Sequence, residues 1–283
     1  MDFSIVTPSF RNASWLKLCI ASVADQQGVG FEHIVQDSCS DDGTLEWLPR
    51  DTRVKAFIEK DRGMYDAVNR GWRRAQGDVL AYLNCDEQYL PGVLRRVKDF
   101  LEQHPEIDVV FGDCLVVDSQ GNYLCERRAL TPRLWHTWTT NSLSFLTAAT
   151  FLRRRALEAA QLYFQPGFLA AGDAEWALRL VRSGLRMDVL PAFVSAFAET
   201  GANLGLTSAA IAEKRVFDAT TPLWVRALAP LGLVHFRWRR WRAGHYRCRP
   251  VEYAIYTNAS PAQRVKFTAA RPTFRWERSL RRT

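Results

Sequence analysis

Several short polar stretches of this chain carry the residue types needed for chemistry on a phosphorylated ligand. Asp86 and Glu87 follow the apolar run 79–83. Carboxylates held at a strand's end supply hard oxygens that suit Mg²⁺ or Mn²⁺ beside a diphosphate. Mg²⁺ keeps waters and phosphate oxygens around it, so one or two protein carboxylates are enough. Asp37 ends an earlier β-rich run and can accept hydrogen bonds from a base or ribose. Asp61-Arg62-Gly63 places a cation in a flexible turn, as neutralising a phosphate requires. Each carboxylate taken singly is a turn or cap residue. Together, at successive strand ends, they make a site.

The elements that must position these residues alternate. Phe3-Ser4-Ile5-Val6-Thr7-Pro8 is a short strand, and Asn12-Ala13-Ser14 starts a helix whose apolar residues Leu16, Cys19, Ile20 and Val23 have helical spacing. Strands follow at 31–37, 54–58 and 79–83, with helices from Thr44 and over 64–75. Strand–helix alternation implies βαβ units on a mostly parallel sheet. Right-handed crossovers then put the strand-to-helix turns on one edge, where such sheets bind ligands. The turns bearing Thr7 and Arg11, Asp37 and Ser40, and Asp86 and Glu87 should therefore meet. Further on, 109–113 and 115–117 read as paired strands, 118–122 as a hairpin turn and 146–152 as a strand. Residues 174–183 read as a helix ended by Gly184 at C′.

Ser4-Ile5-Val6-Thr7-Pro8-Ser9-Phe10, His33-Ile34-Val35-Gln36-Asp37 with Ser40-Asp41-Asp42-Gly43-Thr44, and Asp61-Arg62-Gly63-Met64-Tyr65-Asp66-Ala67-Val68-Asn69-Arg70-Gly71 resemble family 2 glycosyltransferases of the GT-A fold. Ala75-Gln76-Gly77-Asp78 followed by Leu83-Asn84-Cys85-Asp86-Glu87 is similar to the stretch where that family carries its acidic metal motif. The ordered series covers residues 3 to 215, more loosely towards its end. The resemblance implies an α/β GT-A domain with a small second antiparallel sheet. It implies that Asp37 contacts the nucleotide base in a pocket lined by Thr7, Pro8, Phe10 and Arg11, with Ser40 beside them. Asp61, Arg62 and Asp66 would lie near the diphosphate and donor sugar, with Asn84 and Cys85 close by. Asp86 would be the chief ligand of Mn²⁺ or Mg²⁺, helped by Glu87, because Asn84 stands where many members have an Asp.

Gly172-Asp173-Ala174-Glu175-Trp176-Ala177-Leu178-Arg179-Leu180 resembles the family segment in which a Glu-Asp pair precedes a helix. Asp173 matches the catalytic Asp, and Gly172 replaces the usual Glu. Asp173 also reads as a helix N-cap. Two further points concern later stretches: Thr147-Ala148 replaces a frequent His-Gln, and Glu213-Lys214 resembles a late Glu-Lys step. Inverting transfer needs a general base for the acceptor hydroxyl, and Asp173 is expected to supply it.

The charge is unevenly spread. Residues 1–221 hold 24 basic against 28 acidic residues, whereas 222–283 hold 14 against 2. A composition 47% hydrophobic and 24% charged excludes a wholly disordered or fibrous chain. The expected organisation is a GT-A domain over 1–221 and a basic, aromatic-rich helical extension over 222–283. Arg interleaved with Trp and Phe at 235–242 suits an anionic membrane surface better than nucleic acid, for which the rest of the chain gives no reason. The start of the chain shows no secretory signal, no apolar stretch is long enough to span, and the six cysteines form no zinc pattern. The expectation is thus a cytoplasmic enzyme, peripheral on the inner face of the membrane. It would move a sugar from a nucleotide-sugar donor, a UDP-sugar, to a saccharide or lipid-linked acceptor. A sugar nucleotidyltransferase would want glycines in the first loop, and Thr7–Asn12 has none. A non-catalytic scaffold of the same fold is disfavoured by the joint presence of Asp37, Asp86 and Asp173.

Overall fold

In a computed structural model of the chain, strand β1 (Phe3–Ser9) is buried at every position, as a strand covered on both faces must be. The structure describes residues 1–139, 143–165, 167–168, 171–201, 213 and 221–276. β1 pairs in parallel with β2 (Phe31–Asp37) and β4 (Val79–Tyr82), and β2 pairs in parallel with β3 (Lys55–Ile58). Helices α1 (Ala13–Ala24), α2 (Thr44–Trp47) and α3 (Met64–Arg74) make the crossovers. This is the βαβ half legible in the sequence.

Beyond β4 the sheet becomes mixed. β5 (Glu87–Tyr89) leads through α4 (Val93–Gln103) to β6 (Val109–Asp118), and β6 turns back into β7 (Tyr123–Arg127). Helix α5 (Leu134–Thr139), strand β8 (Thr150–Arg153), helices α6 (Arg154–Ala160) and α7 (Gly172–Arg182), and strand β9 (Met187–Glu199) follow. The strand order is β3-β2-β1-β4-β8-β6-β9-β5, with β7 alongside β6. Val6, Tyr65, Val68, Trp72, Trp176 and Leu180 fill one face beneath α3 and α7. Phe3, Ile5, Cys19, Val93, Val97 and Tyr253 fill the other, beneath α1 and α4. The result is the α/β architecture expected, with a small second antiparallel sheet.

Two expectations need correction. Residues 109–113 and 115–117 are not a strand pair; they are one strand, β6, and the turn at 118–122 joins it to β7. Next to Cys114, where the two runs read as separate, lies an irregularity in register against β9 at Gly112-Asp113-Cys114. Gly112 marks it because a Cβ there would lie 2.5 Å from Val194 Cγ2. Among the described residues the tail, in turn, is helical only over α8 (Leu223–Ala227) and α9 (Ala229–Arg242). It then forms the antiparallel hairpin of β10 (Val251–Thr257) and β11 (Ser260–Ala269). Arg264 fastens this hairpin to α1 by pairing with Asp25 at 2.5 and 2.8 Å. Gly184 has the left-handed φ of +75° expected at C′ of α7.

Candidate active site

Register brings the chemical loops to one edge. Ser9 lies opposite Asp37, and Asp37 opposite Ile58, so the turns after β1, β2 and β3 leave the sheet together. β4 ends opposite Val6, and the chain beyond it continues alongside β1. There Leu83 N–H donates to Val6 O at 3.0 Å, and Cys85 Sγ–H to Pro8 O at 3.3 Å. Arg11 N–H donates to Ser40 Oγ at 2.9 Å, and Asp61 N–H to Ser38 Oγ at 3.2 Å. Residues 7–11, 37–41, 61–66 and 83–86 therefore form a continuous rim.

Asp37 is wholly buried and organises the nucleotide side of this rim. Its Oδ2 accepts from Ser9 Oγ at 2.7 Å and Ser40 Oγ at 2.8 Å, and its Oδ1 accepts from Ser40 N–H at 2.8 Å. A carboxylate offers about four acceptor positions, so one remains. Thr7 turns away from the rim: its hydroxyl meets buried His33 Nε2 at 2.8 Å. Phe10 is 48% exposed, with the cations of Arg11 and Lys60 at 4.9 and 5.1 Å from its ring centre. Arg11 also pairs with Asp41 at 2.6 Å. Arg11 and Cys39 have φ of +51° and +59°, a conformation that costs a non-glycine residue about 1–2 kcal/mol. The hydrogen bonds around Asp37 hold that strain in place.

At the start of α3, Gly63 N–H donates to Asp61 Oδ1 at 2.9 Å. Burial works against ionised Asp66, but the Arg62 N–H and the Arg70 guanidinium hold its pKa below the ordinary value. The Arg62 side chain itself is exposed, with its Nε 3.8 Å from Asp66.

The acids after β4 sit differently. Asp86 is half-buried, and its pKa is raised chiefly by burial. It lines a shallow hollow with Trp15, Gln88, Asp118 and, from the C-terminal hairpin, Tyr256. Glu87, the first residue of β5, is 2% exposed. Its Oε2 accepts from Asn84 N–H at 2.7 Å, while burial first and Asp86 second raise its pKa. Glu87 thus spends an oxygen on shaping the loop.

Asn84 Oδ1 is buried without a hydrogen-bond partner among the described residues. An orphaned oxygen next to the Asp86 loop fits the donor set of a hard divalent cation. No three His, Cys, Asp or Glu side chains converge as a closed metal cage among the described residues. The residues present would offer such an ion one carboxylate, Asp86, and the Asn84 amide oxygen.

Asp173 is not the N-cap but the second residue of α7, two positions past the N-cap Ala171, which has no side-chain bond. Asp173 Oδ1 accepts from Ala174 N–H at 2.9 Å. Burial pushes its pKa up to about 6, and Glu213 adds to the rise. Glu213 Oε2 accepts from Ala171 N–H at 2.7 Å, so this late acid belongs to the site; Lys214 lies outside the described residues.

Tyr65 was not singled out from the sequence, yet it joins the two halves of the site. Its hydroxyl accepts from Asp173 N–H at 3.1 Å. Its ring fills the space beneath Gly172, where a Cβ would stand 2.7 Å from Tyr65 Cε2. The glycine found in place of a glutamate was the available signal, because a missing side chain implies that something else occupies its room. Burial raises the pKa of Tyr82, at the end of β4, and the charges of Asp173 and Glu87 add to the rise.

A family-wide sequence profile described as Glycosyl transferase family 2 matches residues 4–160. A PGL/p-HBAD biosynthesis glycosyltransferase of Mycobacterium tuberculosis is 35% identical over 120 residues, 40% of this chain and 47% of the relative. TuaG of Bacillus subtilis, a glycosyltransferase provisionally named for teichuronic acid biosynthesis, is 31% identical over 103 residues, 35% of this chain and 41% of its own length. The chain thus spans less than half of these relatives. Among solved structures, residues 1–349 of S. aureus TarS in complex with UDP-GlcNAc superpose with a TM-score of 0.60 at 18% identity, covering 73% of this chain and 61% of that one. That likeness is one of fold.

Proposed function

The chain belongs to glycosyl transferase family 2, and from that premise we propose that it transfers a sugar from a UDP-sugar to a saccharide or lipid-linked acceptor in cell-envelope polysaccharide synthesis. The names of its relatives and the UDP-GlcNAc held by TarS support the donor and the setting. Phe10, exposed and flanked by two cations, offers its face to the base, and the free acceptor position of Asp37 meets a base or ribose donor. Pro8, Ser40 and Cys85 shape the pocket floor, and Thr7 supports it through His33. Arg62 swings onto the diphosphate from the Asp61–Asp66 turn.

Asp86 would hold Mn²⁺ or Mg²⁺, with Asn84 Oδ1 as a neighbouring oxygen and Glu87 fixing the loop. When bound, such an ion supplies Lewis-acid stabilisation of the departing diphosphate. Asp173 removes the acceptor hydroxyl's proton. The oxygen forms its bond to the anomeric carbon as the bond to the diphosphate breaks on the opposite face, inverting that centre. A pKa raised to about 6 suits a general base, which is then ionised near neutrality yet basic enough to take a proton.

The observation that carries this reading is the pair of burial-raised acids, Asp86 and Asp173, at the edge where the polar loops converge. Calorimetric titration with UDP, GDP and dTDP, with and without Mn²⁺, tests it. Metal-enhanced binding of UDP is expected; no binding of any of the three would sink it.

A further inference from the structure

Helix α9 is built inside out. At about 100° per residue, Leu231, Val234, Trp238 and Trp241 fall within about 80° of arc. These four are 58, 63, 46 and 63% exposed, and Leu223 and Trp224 of α8 add 80 and 58% beside them. Two of its four arginines, and His235, turn towards the body instead of water. Arg239 donates to Thr131 O at 3.1 Å and Thr131 Oγ1 at 3.0 Å. Arg240 lies over the rings of Tyr246 and Phe274, at 5.2 and 5.8 Å. His235 Nδ1 meets His136 Nε2 of α5 at 3.1 Å. With Arg239, Arg240 and His235 engaged on the protein, the helix leaves its apolar stripe outside.

We infer that α8 and α9 lie in the plane of an anionic bilayer, with this stripe in the headgroup–acyl boundary. Charge selects lipid as the occupant. On the helix wheel Arg237 and Arg242 fall on opposite flanks of the stripe, and both are exposed. Arg226, Arg247 and Arg249 are also exposed, and residues 222–251 contain no Asp or Glu. Trp rings at headgroup level bordered by guanidiniums on lipid phosphates is the arrangement an interfacial helix adopts. A second copy packed stripe to stripe would instead bring the flanking arginines of both chains together, like charge against like. α9 has 14 residues, about 21 Å, and no helix among the described residues is long and apolar enough to cross a membrane. The helix therefore lies on the surface. Helix α5 packs against both α9 and α7, which ties the surface helix to the helix that carries Asp173.

This inference deepens the proposed lipid-linked acceptor, but the lipid contact stands apart from donor chemistry, so either can fail alone. The test floats the full chain with vesicles of phosphatidylcholine alone and of phosphatidylcholine with phosphatidylglycerol. Binding is expected on the anionic vesicles, with a blue-shifted tryptophan emission quenched by brominated lipid. Trp238→Ser with Trp241→Ser, and separately Arg237→Glu with Arg242→Glu, should each weaken partitioning about tenfold or more. Unchanged circular dichroism and UDP binding would show that these variants remain folded. Failure to float at low salt, or equal partitioning of all variants, overturns the inference. So does a concentration-dependent dimer in sedimentation that the tryptophan substitutions abolish, since the partner would then be a second copy.

Discussion

On the β1–β2 side of the rim Asp37 receives three hydrogen bonds from Ser9 and Ser40, whereas on the β4–α7 side Asp86 and Asp173 sit in surroundings that raise their pKa. Both sides carry buried or half-buried carboxylates at strand or helix ends. The difference lies in whether the donors offset burial. A carboxylate met by N–H and hydroxyl groups has its desolvation offset and acts as scaffold. One for which burial outweighs the donors it meets keeps a high free energy when ionised, and a cation or a substrate proton can relieve it. The comparison predicts that the two kinds fail differently when altered.

The largest expected effect is at Asp86. Asp86→Asn should cut donor turnover about a hundredfold or more and remove the Mn²⁺ enhancement of UDP binding, while the thermal midpoint holds or rises. A variant that unfolds earlier would move Asp86 to the scaffold class. Asp37→Ala should lose stability as well as UDP binding. It strands the Ser9 and Ser40 donors in a buried site, so denaturant melts should report a loss of about 2–4 kcal/mol. Unchanged stability would mean that the Asp37 network is dispensable.

Asp113 refines the comparison from outside the rim. It is 8% exposed and accepts from Ala129 N–H at 2.8 Å, yet burial pushes its pKa up to about 7. Its folded-state pKa lies above the unfolded value, so the folded state holds the proton more tightly. Its contribution is favourable at low pH and is lost as pH rises through about 7. Asp113→Asn keeps the acceptor without the charge. It should stabilise the protein by about 2–4 kcal/mol near pH 8, with the gain shrinking steadily as pH falls and vanishing only below about 4, where the unfolded carboxyl is protonated too. An equal effect at both ends of that range would contradict the assignment.

The nucleotide side of the site was legible in the sequence because its residues stand at the ends of short apolar runs, and parallel register gathers such ends automatically. The acid side was legible only by position. Asp173 could be matched, but its partner Tyr65 lies 108 positions away and is visible only through the space Gly172 leaves. Glu87 read as a second metal oxygen because sequence does not show that its carboxylate turns back to Asn84. The tail was misread for a different reason. Its charge suggested one basic helical piece, but charge speaks to partners and not to fold. The alternation Val251, Tyr253, Ile255 had already marked the strand that packs beneath α1.

The most direct test is donor turnover by Asp173→Asn at saturating UDP-sugar and acceptor, followed as UDP release across pH. The wild-type rate should rise with pH through about 6, as the Asp173 carboxyl loses its proton. The variant should bind donor as tightly as wild type and lose roughly two or more orders of magnitude in rate, with no such rise. A variant that turns over donor at the wild-type rate, with the same pH profile, would contradict the account.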